Sequence, residues 1–147
     1  MRFNLDEDRT RALASRISAL LLDVDGVLTD GKLMFSSSGE EMKAFSSLDG
    51  HGIKMLLRTG LTVGIITGRT SRIVENRCRD LEITLVLQGQ GDKEAALNSI
   101  LAEHNLDLEQ VAYVGDDLPD LPVLDQVGLS FSVSSGHPAI TQCVAAI

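Results

Sequence analysis

The chain has 147 residues, 44% of them apolar and 23% charged, with no tryptophan, one tyrosine and two cysteines. That is the size and composition of one domain with its own core, and it excludes a disordered chain. A formal charge of -8 has the wrong sign for broad binding to nucleic acid or an anionic membrane, and no apolar run approaches the roughly 20 residues that a membrane span needs.

Asn4 to Ala14 reads as a short helix. Residues 18–24, 61–67, 84–88, 111–115 and 128–133 are compact apolar runs ending in polar or glycine-rich turns, which marks strands buried on both faces. Between them, residues 52–59, 71–81, 93–104 and 118–127 carry apolar side chains at helical spacing. Strand and helix alternate, so the expected fold is α/β: a doubly wound three-layer sandwich with a mainly parallel sheet, joined by right-handed crossovers. The exception is about 31–47, where Lys32-Leu-Met-Phe and Glu41-Met-Lys-Ala-Phe flank Ser36-Ser-Ser-Gly-Glu. This reads as a β-hairpin inserted after strand one. No internal repeat or linker divides the chain, and a single domain over 1–147 is expected. With no signal-peptide pattern at either end, the expected location is the cytoplasm. Cys78 and Cys143 lack metal-ligand spacing and read as reduced structural thiols.

In an open parallel sheet, ligands sit beyond the carboxyl ends of the strands. Asp23, Asp25 and Gly26 end strand one; Thr67, Gly68 and Arg69 end strand two; Lys93 opens the helix after strand three; Asp116, Asp117 and Asp120 follow strand four. Magnesium takes one or two carboxylates plus water and phosphate oxygens, and Asp23 and Asp116 could supply the carboxylates. Lys93, the Thr67 hydroxyl and backbone N–H groups near Gly26 and Gly68 suit the oxygens of a phosphoryl group. Two carboxylates spaced Asp-x-Asp on a strand end point to the same side. One can bind metal and attack phosphorus, while the other holds a proton for the leaving oxygen.

Asp23-Val-Asp-Gly-Val-Leu-Thr-Asp, Thr67-Gly-Arg, Lys93 and Gly115-Asp-Asp-x-x-Asp resemble the four ordered motifs of the haloacid dehalogenase superfamily of phosphatases. More narrowly, Ala44-Phe-x-x-x-Asp-Gly-x-Gly-Ile, Ile66-Thr-Gly-Arg, Gln88-Gly, Ala112-Tyr-Val-Gly-Asp-Asp-Leu-Pro-Asp-Leu-Pro-Val and His137-Pro are similar to the capless 3-deoxy-D-manno-octulosonate 8-phosphate phosphatases. The resemblance implies Asp23 as nucleophile, Asp25 as general acid and then base, and Thr67 and Lys93 as holders of the phosphoryl group. It implies Mg²⁺ on the Asp23 carboxylate, the Asp25 main-chain carbonyl and the Asp116 carboxylate, with Asp117 and Asp120 in support. A small phosphorylated acidic sugar is the implied substrate, on the way to lipopolysaccharide. A homotetramer is the implied assembly, in which the hairpin roofs a neighbour's site and Arg69 meets substrate or interface.

Simpler readings stand beside these. Asp117 and Asp120 could cap the helix after strand four, His51 and His137 could be structural, and Gln88 could end a turn. Leu33, Met34, Phe35 and Phe45 could form an oligomer surface or fold onto the core. A related nonulosonate 9-phosphate phosphatase and a low-activity regulatory module share the motifs. A receiver-type signalling domain would instead place a lone acceptor aspartate at the end of strand three, where this chain has Gln88.

Overall fold

The computed structural model describes all residues from Met1 to Ile147. The elements follow the alternation in the sequence: α1 (Glu7–Ala14), β1 (Ala19–Leu22), β2 (Met34–Phe35), β3 (Glu41–Met42), α2 (Ser47–Arg58), β4 (Thr62–Ile66), α3 (Arg72–Leu81), β5 (Leu85–Leu87), α4 (Lys93–His104), β6 (Val111–Val114), α5 (Leu121–Leu124), β7 (Leu129–Phe131) and α6 (Pro138–Thr141). Five strands form one sheet in the order β5-β4-β1-β6-β7, every neighbouring pair parallel. β2 and β3 form a separate antiparallel pair, the inserted hairpin.

Alternation along the strands sends side chains to two faces. Ala19 and Leu21 of β1, Ile66 of β4 and Val111 and Tyr113 of β6 join Ala96, Leu97 and Ile100 of α4 and Val123 and Leu124 of α5. Leu22, Val63 and Ile65 point the other way, onto Ile53 of α2 and Val74, Cys78 and Leu81 of α3. Leu13 of α1 completes that second layer over Ala112 and Leu129. The strand order reverses at β1, so the crossovers diverge on either side of it and leave a crevice beyond its carboxyl end.

Three boundaries differ from the sequence reading, each for a local reason. α2 begins at Ser47 rather than at residue 52, because the Ser46 hydroxyl accepts from the N–H groups of Leu48 and Asp49 and starts the helix. Its Gly50 lies against the Arg77 guanidinium and Leu81, so that a Cβ there would displace the guanidinium. The helix expected over 118–127 is a 3-10 turn at Leu118–Asp120 followed by the single turn of α5, since Pro119 and Pro122 each remove a backbone donor. Helix α1 begins only after Asp6, whose carboxylate accepts from Arg9 N–H. The chain ends are tied together: Phe3 and Phe131 both bridge to Ala146, and the Asn4 amide donates to the carbonyls of Thr141 and Val144. No helix is long and apolar enough to cross a membrane.

Candidate active site

Beyond the carboxyl ends of β1, β4 and β6 lies an open cleft of about 340 Å³, lined by Asp23, Asp25, Thr67, Arg69, Asp116 and Asp120 among others. Each arrives from a different segment. Asp23 follows β1 and is held by its N–H donating to the Val114 carbonyl at 3.0 Å. Thr67 follows β4 and is buried, its N–H donating to Leu87 O and its carbonyl accepting from Gln90. Lys93 is the first residue of α4, placed there because the Asp92 carboxylate accepts from Ala95 N–H and caps the helix. Asp116 follows β6, and its carbonyl accepts from His137 N–H at 2.7 Å. His137 thereby braces the loop, while its Nδ1 accepts from Ala139 at the start of α6.

The deepest part is a charge network. The buried Lys93 ammonium lies 3.1 Å from Asp23 Oδ1 and 2.6 Å from Asp120 Oδ1. The Tyr113 hydroxyl also donates to Asp120 Oδ1, at 2.6 Å. Asp120 Oδ2 accepts from the N–H groups of Asp116 and Asp117 at 3.0 and 3.2 Å. Both Asp120 oxygens are therefore engaged by protein donors, and this residue orders Lys93 and the Asp116 loop. Asp117 accepts from Leu118 N–H and opens the 3-10 turn. Tyr113 escapes a motif-based reading because it sits in an apolar strand; its signal is being the sole tyrosine, two residues before Gly115-Asp-Asp and on the same sheet face.

Asp23, Asp116 and Asp120 bring carboxylate oxygens within 4.8 Å of one another. With Asp120 already saturated, the geometry leaves Asp23 and Asp116 for a cation, and Asp116 Oδ1 is buried without a hydrogen-bond partner. An orphaned anionic oxygen of that kind fits a hard divalent ion. The electrostatics agree. Asp116 is pushed up to about 6 by its burial and by the neighbouring Asp23, Asp120 and Asp117 charges. Asp23 is raised as well, by burial first, with Lys93 acting against it. Burial first, then the Asp120, Asp23 and Asp116 charges, raise the Tyr113 hydroxyl, which stays a donor. Gly26 takes φ +99° and has the Asp116 carboxylate where a Cβ would stand, so its value is close approach. Its own N–H donates to Thr29 Oγ1 at 3.3 Å.

At the rim, Asp25 Oδ1 is paired with the ammonium of Lys43, and Arg69 Nε lies 3.8 Å from Asp25 Oδ2. Gln88 turns inward, its Oε1 accepting from Ser71 N–H at the start of α3, and His51 is exposed on α2. On the hairpin, Phe45 packs on the core under the Arg77 guanidinium, whereas Leu33, Met34, Phe35 and Met42 are about half exposed.

Residues 83–147 match the haloacid dehalogenase-like hydrolases. Over 129 residues the chain is 48% identical to the 3-deoxy-D-manno-octulosonate 8-phosphate phosphatase KdsC of Escherichia coli, covering 88% of this chain and 69% of the relative. The chain belongs to the KdsC family of haloacid dehalogenase-like phosphatases. Among solved KdsC-type structures, the 3-deoxy-D-manno-octulosonate 8-phosphate phosphatase of Yersinia pestis superposes with a TM-score of 0.93 at 43% identity, over 97% of this chain and 76% of that one. The Moraxella catarrhalis enzyme, solved with magnesium ion, phosphate ion and a KDO molecule, gives 0.92 at 37% identity over 97% and 82%. The KdsC-type protein of Haemophilus influenzae has a cobalt-bound form.

Proposed function

We propose that this chain hydrolyses 3-deoxy-D-manno-octulosonate 8-phosphate to 3-deoxy-D-manno-octulosonate and inorganic phosphate, a step toward lipopolysaccharide in the cytoplasm. The observation that carries the reading is the convergence of Asp23, Asp25, Thr67, Lys93 and Asp116 on one cleft beyond β1. Asp23, Asp116 and the Asp25 main-chain carbonyl would hold Mg²⁺, which supplies positive charge against the phosphoryl oxygens and the nucleophile. Thr67, Lys93 and the backbone at Gly68 hold the remaining phosphoryl oxygens. An Asp23 carboxylate oxygen attacks phosphorus in line with the sugar oxygen. The P–O bond to the sugar breaks with its electrons going to that oxygen, which takes the Asp25 proton. Asp25, now a carboxylate, removes a proton from water as the water oxygen attacks phosphorus, and the bond to Asp23 breaks to restore both carboxylates.

Residues 1–147 would act as one catalytic domain with the hairpin at 31–47 as an insertion. The half-exposed Leu33, Met34, Phe35 and Met42 support a homotetramer in which the hairpin lies near a neighbour's site and Arg69 faces the sugar acid. Phosphate release from the octulosonate 8-phosphate, a nonulosonate 9-phosphate and p-nitrophenyl phosphate, each with Mg²⁺ and with chelator, tests the reading. Magnesium-dependent preference for the octulosonate supports it. Preference for the nonulosonate would move the substrate, and silence on all three would overturn the hydrolase.

A further inference from the structure

Lys43 belongs to none of the motifs that define the site, yet its side chain is only 2% exposed. Its ammonium is closed between two carboxylates: Asp25 Oδ1, and Glu41 Oε1 at 3.3 Å. The other Glu41 oxygen accepts from the Ser71 hydroxyl, which opens α3. Arg69 completes the group from the rim, 3.8 Å from Asp25 Oδ2 and 3.8 Å from Glu41 Oε1. An ammonium removed from water is retained only when its partners satisfy it. The pairing is also asymmetric. Oδ1 of Asp25 is taken by a fixed cation, while Oδ2 has only the half-exposed Arg69 near it, and Asp25 itself lines the cleft.

We propose that Lys43, held by Glu41 and Ser71, is a positioning residue that locks the Asp25 carboxyl group so that its Oδ2 carries the proton exchanged with the leaving group. The hairpin therefore has a role within its own subunit: it delivers the cation that orients the acid. This rests on the reading of Asp25 as proton donor, and the test separates the two.

The assay compares kcat/KM, which reports the step that expels the leaving group, for three substrates in Mg²⁺. p-Nitrophenyl phosphate leaves as a stable anion and needs no proton; phenyl phosphate and the octulosonate 8-phosphate need one increasingly. In Lys43→Met the value should fall about 100-fold on the octulosonate and less than about 5-fold on p-nitrophenyl phosphate, with phenyl phosphate between, since general acid catalysis contributes about 10²–10⁴-fold. Lys43→Arg should recover activity to within about 10-fold of wild type. Asp25→Asn should show the same selective pattern as Lys43→Met. Equal loss on all substrates in Lys43→Met, or no loss, overturns the Lys43 role while Asp25→Asn remains selective. A non-selective Asp25→Asn overturns the donor reading itself. If Lys43→Met does not fold by circular dichroism, the double variant Glu41→Gln/Lys43→Met, which removes one charge of each sign, carries the same comparison.

Discussion

Asp116→Asn should make the metal-free protein more stable, although Asp116 lies at the centre of the site. In the folded chain its carboxyl is pushed from an ordinary value of 3.8 up to about 6 by burial and by Asp23, Asp120 and Asp117. A carboxyl whose folded value lies above its unfolded one binds its proton more tightly when folded. Its contribution to stability is fully present below about pH 4 and is lost as pH rises through about 6. Above that, the charged group opposes folding by an upper bound of about 3 kcal/mol, at 1.36 kcal/mol for each pH unit of difference. Asp116 is only partly buried, and solvent screening reduces this to about 1–2 kcal/mol. At about 2–4 °C per kcal/mol for a domain of this size, the variant should melt about 2–8 °C above wild type at pH 8 with chelator. The gap should close toward pH 4.5, where wild-type Asp116 is itself protonated. Magnesium should raise the melting temperature of wild type and leave the variant nearly unmoved. Differential scanning fluorimetry across pH, with and without Mg²⁺, reads all three effects. A variant less stable than wild type at pH 8 without metal would show that the Asp116 charge does not oppose folding, and one stabilised by Mg²⁺ as strongly as wild type would show that Asp116 does not hold the ion.

Other substitutions probe the network around it. Lys93→Met leaves Asp23 and Asp120 facing each other without their shared cation; thermal melts should show a loss of about 3 kcal/mol, and phosphate should no longer protect the protein. Tyr113→Phe removes one donor from Asp120 Oδ1; denaturation should register a cost of about 1–2 kcal/mol, and kcat should fall while KM changes little. Gly26→Ala sets a methyl group against the Asp116 carboxylate at a positive φ, so Mg²⁺ affinity by calorimetry should drop at least about ten-fold.

The parallel sheet was legible because strands buried on both faces read as short apolar runs, and the loops after β1, β4 and β6 collect the polar chemistry that such sheets place there. Helical spacing over 118–127 was a weaker guide, since it does not weigh what Pro119 and Pro122 do to a backbone ladder. Within the site, the sequence pattern set Asp116 apart as a metal carboxylate and left Asp117 and Asp120 between support and helix capping. Packing separates them: Asp120 is buried and fully engaged, Asp117 caps a turn, and Asp116 keeps an unpartnered oxygen. Tyr113, Glu41, Lys43 and Ser71 were not legible as site residues. Their significance lies in pairings with residues 7 to 30 positions away, which no local spacing encodes. Gln88 and His137, ambiguous as isolated residues, brace the site loops through Ser71 and Asp116.

Hydrolysis through a covalent intermediate requires that Asp23 become phosphorylated during turnover. The direct measurement is acid quenching of the enzyme mixed with substrate and Mg²⁺ on the millisecond timescale, followed by mass spectrometry of the peptide that contains residue 23. A transient phosphoryl adduct is expected on Asp23 in wild type, and in Asp23→Asn neither adduct nor measurable turnover despite an unchanged fold. Turnover persisting in Asp23→Asn, or an adduct on a different residue, would contradict it.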